Sequence, residues 1–255
     1  MTVSRPLLVA AIGLIALQNS LLHAEELPSA IKAMESKGAK IAGSFDAPDG
    51  LRGYAAEYQN HGIALYLTAD RKHVLVGNLY DEQGNDLSKG PLDTLVYAPM
   101  AKEVWAKMEN SAWIADGSKT APRVVYLFSD PNCPYCNMFW EQARPWVNSG
   151  KVQLRHIMVG IISETSPAKA AALLADKSPE NALQAHEKAG KSSSLKPLAN
   201  IPKDIQTKLD DNQQLMTDLG LSATPSIFYL DDQGHMQQQQ GAPRPEMLQK
   251  ILGLK

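Results

Sequence analysis

The sequence predicts an α+β protein with two domains, a helix between them and a helical insertion in the second domain. Three observations predict this. Residues 40–97 hold short β-prone segments separated by turn signals, and residues 99–115 carry apolar side chains at helical spacing. From residue 123 onward, strands and helices alternate, with a long Ala-, Leu- and Gln-rich stretch before the third strand. The 255 residues suffice for two modest domains.

Residues 1–24 have the order of a secretory signal peptide. Arg5 is the only charged residue before Glu25, residues 7–17 form an apolar run broken only by Gly13, and Ala24 offers a small residue before a cleavage site. The alternative is a membrane anchor, but a spanning helix needs about 20 apolar residues. We therefore expect cleavage and a mature protein in an exported, oxidising compartment.

The overall composition excludes one class of partner. The formal net charge is −2 and the isoelectric point is about 6.3, so no polybasic surface is available for nucleic acid. Hydrophobic residues make up 44% of the chain, which favours a packed core.

Residues 25–97 are predicted to form an N-terminal domain. A short amphipathic helix over residues 27–37 precedes β-like segments at 53–58, 63–67 and 73–80, which indicate a small antiparallel sheet. This region has no cysteine and no convergent acid–base pair. We therefore expect it to bind or assemble rather than to catalyse.

Residues 98–119 are predicted to form a linker helix. Met100, Val104, Met108 and Ala112 recur every four residues, as on one face of a helix, and a polar run from Asp116 ends the segment. A helix packed only on the core of its own domain remains the alternative.

Residues 120–255 are predicted to form the second domain. A buried strand at 123–129 leads through Asp130-Pro131-Asn132 into a helix at 133–147, and a second strand follows at 152–159. A helical insert covers residues 163–220, and Thr224-Pro225 opens a strand, a hairpin and a final helix. The order β, α, β, helical insert, β, β, α is that of a thioredoxin-like domain.

The chemistry is predicted to lie in Cys133-Pro134-Tyr135-Cys136, which follows a strand and opens a helix. The partial positive charge and free N–H groups of a helix N-terminus favour a thiolate at Cys133. Pro134 shapes the first helical turn. We expect Cys133 to attack a substrate sulfur and the more buried Cys136 to resolve the mixed disulfide.

A structural disulfide and a zinc site are two other uses of a cysteine pair. A structural disulfide across so small a ring stabilises by only about 2 kcal/mol, against about 4.7 kcal/mol for a 100-residue loop. A closed zinc site needs four ligands, and no second cysteine pair or close histidine pair supplies them. We therefore expect neither a metal nor a cofactor, and interpret the six histidines as ordinary surface or core residues.

The run from Phe128 to Cys136 resembles the DsbC/DsbG family of periplasmic thiol-disulfide interchange proteins. Phe139-Trp140, Arg144-Pro145-Trp146-Val147 and Thr224-Pro225 extend the resemblance, which covers nearly all of the mature chain. The DsbC branch typically has Gly after the first active cysteine and a further disulfide in the insertion. Because this chain has Pro134 and no cysteine in the insertion, it is similar to the DsbG branch.

The resemblance implies a homodimer. A cystatin-like N-terminal domain would dimerise, the linker helix would follow, and two thioredoxin-like domains would face a shared cleft. It also implies that Pro225 is cis and faces the cysteine pair, with Thr224 beside the sulfurs. Pro134 and Tyr135 complete the expected active-site support, and Asp130 is expected to shape the loop before Cys133.

The resemblance further implies a periplasmic oxidoreductase that isomerises or reduces disulfides in exported proteins and also reduces sulfenylated cysteines. Chaperone activity is expected beside the redox role, and the inner-membrane reductase DsbD is the implied electron donor. Two alternatives stay open. One is a DsbA-like oxidase, which predicts a chain without the N-terminal domain, and the other is a holdase chaperone whose apolar cleft matters more than its thiols.

Overall fold

The computed structural model describes residues 26–254 of the chain. The chain divides into two compact units, one ending at Gly77 and the other beginning at Asn78. The predicted signal peptide at residues 1–24 lies outside the described residues. Each helix among the described residues is too short or too polar to cross a membrane.

The first unit is one helix on a four-stranded antiparallel sheet. The sheet has the order β1-β2-β3-β4, and the fully buried Ile31 of the helix packs with Tyr54 and Leu65. A two-residue turn joins β2 to β3, with positive φ at Gln59 and Asn60, as a tight hairpin requires. The predicted sheet and helix are thus confirmed; the elements are α1 (Ser29–Glu35), β1 (Lys40–Asp46), β2 (Arg52–Tyr58), β3 (His61–Leu67) and β4 (Val74–Val76).

Near its start the second unit has a helical stretch that changes its hydrogen bonding midway. Helix α2 (Lys89–Leu92) runs into a π-helical segment (Asp93–Tyr97) and then into α3 (Ala98–Glu109). Pro99 explains the wider turn, because proline has no N–H and its ring clashes with the carbonyl four residues earlier in a regular α-helix.

The helix predicted over residues 98–119 ends at Glu109, so the prediction is wrong beyond that residue. The side chains of Asn110 and Ser111 donate to the carbonyls of Ala106 and Met108, each at 2.8 Å, and so close the last turn. Trp113 then begins a strand. The apolar residues after Glu109 belong to a sheet, because the neighbouring strand β7 (Val152–Met158) offers their backbone hydrogen-bond partners that the periodicity could not indicate.

The core of the second unit is a five-stranded sheet. The strand order is β5-β7-β6-β8-β9, with β6 and β7 parallel and the other pairs antiparallel. The sequence predicted all of these strands except β5. Their bounds are β5 (Trp113–Asp116), β6 (Arg123–Ser129), β7 (Val152–Met158), β8 (Ser226–Leu230) and β9 (Met236–Gln240).

Helix α3 and five further helices cover the two faces of this sheet. Strand β6 is buried on both: Val125 and Leu127 pack with Phe139 on one side, whereas Tyr126 and Phe128 pack with other apolar residues on the opposite side. The predicted helical insertion is confirmed by α5, α6 and α7. The helices are α4 (Pro134–Asn148), α5 (Ser166–Leu174), α6 (Pro179–Ala189), α7 (Lys203–Asp218) and α8 (Pro245–Leu252).

The predicted domain boundaries do not coincide with the boundary between these two compact units. Residues 78–97 belong to the second unit, whereas the sequence placed them in a dimerisation domain over 25–97. The roles assigned to 25–97, 98–119 and 120–255 concern assembly and catalysis, and they stay predictions.

Candidate active site

The two cysteines lie at the start of helix α4, which follows strand β6. Cys133 is the N-cap of α4, with extended backbone angles of φ −84° and ψ 111°, and Pro134 is the first helical residue. The Cys133 Sγ accepts a hydrogen bond from the backbone N–H of Cys136 at 3.2 Å. The sulfur therefore takes the place of the usual Ser or Asp cap oxygen and satisfies one of the free N–H groups of the helix. Both thiols are buried and unbonded to each other.

The segment that contains Thr224, 91 residues further along the chain, contacts the sulfur of Cys133. The Thr224–Pro225 peptide bond is cis, as the resemblance implied. When protonated, the thiol of Cys133 donates to the Thr224 carbonyl oxygen at 3.3 Å, which places Thr224 beside the sulfur as expected. Strand β8 begins directly afterwards and pairs with β6, so the sheet holds the two segments together.

The two thiols have opposite acidities. Hydrogen bonding from the Cys136 side chain, and then from the Thr224 side chain and the backbone N–H groups of Cys136 and Tyr135, lowers the pKa of Cys133 from 9.0 to about 6, although burial opposes it. Burial, together with the hydrogen bond and charge of Cys133, raises the pKa of Cys136 well above 9.0. At neutral pH the first thiol is therefore mainly an anion and the second a neutral thiol, an asymmetry that suits one nucleophile and one resolving group.

Exposed side chains with apolar surface occur in the segments that carry the cysteine pair and in the segment bound to Asp130. Tyr135, between the two cysteines, is 60% exposed, and Met138 and Ile162 are also exposed. Cys133 itself is buried at 5% exposure. The site therefore combines a shielded sulfur with an accessible apolar rim.

Asp130 shapes the loop before Cys133, as expected. Its buried carboxylate accepts from the backbone N–H of Asn132 and the hydroxyl of Ser166, each at 2.8 Å, through one oxygen. The other oxygen accepts from the N–H groups of Ile161 and Ile162 at 2.7 and 2.9 Å. One side chain thus ties the active-site loop to the segment that enters the helical insertion.

The insertion also holds the next two loop residues. Lys169 of α5 donates to the side-chain oxygen of Asn132 at 2.8 Å. His186 of α6 lies 2.8 Å from the Pro131 carbonyl oxygen through its Nε2. The sequence interpretation of the histidines as ordinary residues missed this contact, because only the folded chain brings residue 186 to residue 131.

Among residues 26–254, no three His, Cys, Asp or Glu side chains converge as metal ligands.

Comparison with known proteins decides the family. Residues 113–254 match the thioredoxin-like domain family. The chain is 65% identical over 254 residues to the thiol:disulfide interchange protein DsbG of Pseudomonas aeruginosa, covering 99% of both chains. It is 46% identical over 242 residues to DsbG of Escherichia coli, covering 95% of this chain and 98% of that one.

The chain belongs to the DsbG family. Members of the DsbG family are thiol:disulfide interchange proteins, so the protein is a thiol–disulfide oxidoreductase that exchanges disulfides with substrate proteins. Among solved structures, a transitional conformation of Proteus mirabilis ScsC has a TM-score of 0.50 at 22% identity, covering 65% of this chain and 81% of that one. That likeness concerns the fold alone.

The depressed pKa of Cys133 predicts a pH-dependent difference in stability between the reduced and oxidised proteins. With a folded pKa of about 6 and an unfolded pKa near 9.0, the unfolded chain binds more protons between these values. The reduced form therefore gains stability as pH rises from about 6 to 9, by at most about 1.4 kcal/mol per pH unit, and loses it as pH falls through 6.

Urea unfolding of both forms at several pH values measures this difference. The oxidised form serves as the control, because its cysteines do not titrate. A reduced form whose relative stability is flat from pH 6 to 8 would contradict the prediction.

Proposed function

We propose that Cys133 is the attacking thiolate and Cys136 the resolving thiol of a periplasmic oxidoreductase acting on exported proteins. The observation that carries this is the capping of α4 by the Cys133 sulfur, with its pKa at about 6. Thr224, Pro225, Pro134 and Tyr135 support the site by enclosing the sulfur and shaping the turn.

The exchange proceeds in two displacements. The Cys133 thiolate attacks one sulfur of a client disulfide, so a Cys133–client S–S bond forms and the client S–S bond breaks, leaving a client thiolate. In isomerisation, a client thiolate then displaces Cys133 and forms a new client disulfide. In reduction, Cys136 attacks Cys133, giving a Cys133–Cys136 disulfide and a fully reduced client.

A sulfenic acid on a single client cysteine is a second substrate of the same thiolate. Condensation of Cys133 with Cys–SOH forms a mixed disulfide and releases hydroxide, which becomes water on protonation. Cys136 then frees the client thiol. Each reduction leaves the protein oxidised, so it needs a thiol reductant, which we propose to be the inner-membrane reductase DsbD.

Client recognition is supported by the apolar rim around the sulfur. Tyr135, Met138 and Ile162 expose apolar surface beside a pair of otherwise buried cysteines. Such a surface suits partly unfolded chains, whose apolar side chains are exposed. The same rim is compatible with chaperone activity beside the redox role.

A Cys136→Ala variant expressed in the native compartment tests this function. We expect it to accumulate disulfide-linked complexes with clients, because the attacking thiolate remains and the resolving thiol is gone. Mass spectrometry of the trapped complexes identifies the clients. Clients with one cysteine indicate sulfenic-acid reduction, and clients with several indicate isomerisation or reduction of disulfides.

The matched control is the Cys133→Ala variant, which keeps Cys136 but lacks the proposed nucleophile. It is expected to trap nothing. Equal trapping by both variants, or trapping by Cys133→Ala alone, would refute the assignment of roles.

We further propose that the first unit mediates a homodimer. Within the described chain, β4 is an outer strand of its sheet and pairs only with β3. Leu75 is 58% exposed and Val76 is 55% exposed on that strand. An apolar outer strand left open favours pairing with another chain, and a second copy is the partner that the family resemblance implies.

Placing charge on this edge is expected to give a monomer. In a Leu75→Glu/Val76→Lys variant, two ionised side chains would have to be desolvated in the interface, so the dimer dissociates. Light scattering after size-exclusion chromatography measures the mass. The control is Ala42→Lys, at an exposed position on the opposite outer strand β1. A dimeric double variant, or a monomer produced by Ala42→Lys alone, would contradict the placement of the interface.

A further inference from the structure

His186 is a buried imidazole whose two nitrogens are both engaged. The ring is 8% exposed, with Nε2 at 2.8 Å from the Pro131 carbonyl oxygen and Nδ1 at 2.6 Å from the Ser193 hydroxyl. A carbonyl oxygen only accepts, so Nε2 carries a proton. The Ser193 oxygen accepts from the N–H of Leu195 at 3.2 Å and has its own hydrogen to donate to Nδ1. With the proton on Nε2 and none on Nδ1, the Pro131 carbonyl oxygen, the Ser193 hydroxyl and both ring nitrogens each have a hydrogen-bond partner.

The bond to Pro131 acts on the peptide unit just before Cys133. The Pro131–Asn132 peptide is planar, so fixing its oxygen and its nitrogen fixes its orientation. His186 binds the oxygen, and the Asp130 carboxylate binds the N–H at 2.8 Å. Cys133 follows directly, with its own N–H donating to the Asp130 carbonyl oxygen at 3.0 Å. The direction in which Cys133 enters α4 thus depends on groups that never touch the sulfur.

We propose that His186 is a positioning residue for the reactive sulfur, holding the Pro131–Asn132 peptide so that Cys133 caps α4. This inference rests on the proposed function of Cys133 as the attacking thiolate. Without the Nε2–H bond, the buried Pro131 carbonyl oxygen loses its partner and the peptide turns to find another. The Cys133 sulfur then moves away from the N–H groups of Tyr135 and Cys136, and its thiolate becomes less stable.

A separate contact keeps α6 docked when His186 is changed. The Asn137 side-chain amide of α4 donates to the Glu187 carbonyl oxygen at 2.6 Å and to its carboxylate at 2.8 Å. Leu183 of α6 is fully buried in the apolar cluster of the insertion. The effect of the imidazole on the sulfur can therefore be separated from the packing of the helix.

The test compares His186→Phe with His186→Gln in the full chain. Thiolate absorbance at 240 nm is measured against pH in the reduced proteins, together with the equilibrium constant for exchange with glutathione. For His186→Phe we expect about fivefold less Cys133 thiolate at pH 6 and a similar change in that equilibrium constant at pH 7, as the loss of one hydrogen bond predicts. For His186→Gln, whose amide N–H can replace Nε2–H, we expect most of the wild-type thiolate.

The control is His235→Phe, which changes an exposed histidine in the β8–β9 turn and is expected to leave both measurements unchanged. A folded His186→Phe protein with the wild-type thiolate titration overturns the inference. If this variant does not fold, long-range ¹⁵N NMR of the wild type decides instead, because a ring protonated only on Nδ1 also overturns it. A wild-type Cys133 that titrates like a free cysteine would sink the proposed function itself, whatever the variants show.

Discussion

Replacing Cys133 with alanine is expected to abolish thiol–disulfide exchange, with a loss on the order of 10³-fold or more, down to the uncatalysed rate. Cys133 is the cysteine whose pKa is lowered, to about 6, whereas that of Cys136 is raised well above 9.0. The remaining thiol is buried and protonated at neutral pH. It therefore cannot take over the attack.

The rate of refolding of a ribonuclease with scrambled disulfides measures isomerisation, and the rate of reduction of a peptide disulfide measures reduction. The matched control, Cys136→Ala, is expected to keep the first displacement, seen as a burst of mixed disulfide, and to lose multiple turnover in reduction. Residual turnover by Cys133→Ala above the uncatalysed rate would refute the assignment. Undiminished protection of clients by Cys133→Ala in the native compartment would favour the holdase alternative as the main role.

Replacing Arg144 with methionine is expected to destabilise the protein by about 3–5 kcal/mol, since it would take away the permanently charged partner of a buried carboxylate. The Arg144 guanidinium makes two hydrogen bonds to the Asp116 carboxylate, which is 5% exposed, and lies 3.9 Å above the Trp140 ring. Burial raises the pKa of Asp116, but the neighbouring His156 ring and the hydrogen bonds and charge of Arg144 outweigh it and lower the pKa to about 2. The carboxylate therefore stays ionised and depends on its partners.

Urea unfolding at pH 7, with all proteins reduced, measures this cost. The matched control is Arg244→Met, because the Arg244–Glu246 pair is exposed and such pairs contribute at most about 1 kcal/mol. The double variant Asp116→Leu/Arg144→Met is expected to recover much of the loss, since it removes both charges. A folded-state pKa below 3.8 means that the stability from Asp116 is present above that pH and is lost as pH falls towards 2. An Arg144→Met protein within about 1 kcal/mol of wild type would contradict the argument.

The sequence predicted most helices and strands, but it placed the residues around Trp113 in a helix, whereas they form a strand. Apolar side chains at helical spacing continue past Glu109, yet β5 begins at Trp113 because β7 supplies hydrogen-bond partners for an added strand. Spacing reports which side chains are buried, and a short apolar run fits either a helix or an outer strand. Only the neighbouring strand decides between them.

The sequence by itself was enough to predict Cys133 and Cys136 as the reactive pair, because most of the groups that lower the pKa of Cys133 are local. A strand, a break at Asp130-Pro131-Asn132 and a helix beginning at Pro134 place the sulfur at free N–H groups within three residues along the chain. The resemblance added the expectation of a cis proline at 225, which the structure bears out.

The tertiary structure alone decided which distant groups complete the site. The Thr224 carbonyl oxygen and the His186 ring reach the active-site loop from 91 and 55 residues away. Nothing in the spacing of residues marks such contacts, because they depend on how β8 and α6 pack beside β6 and α4. The local hydrogen bonds of the helix cap favour the thiolate form of Cys133. The folded core sets the orientation of the loop that carries this sulfur.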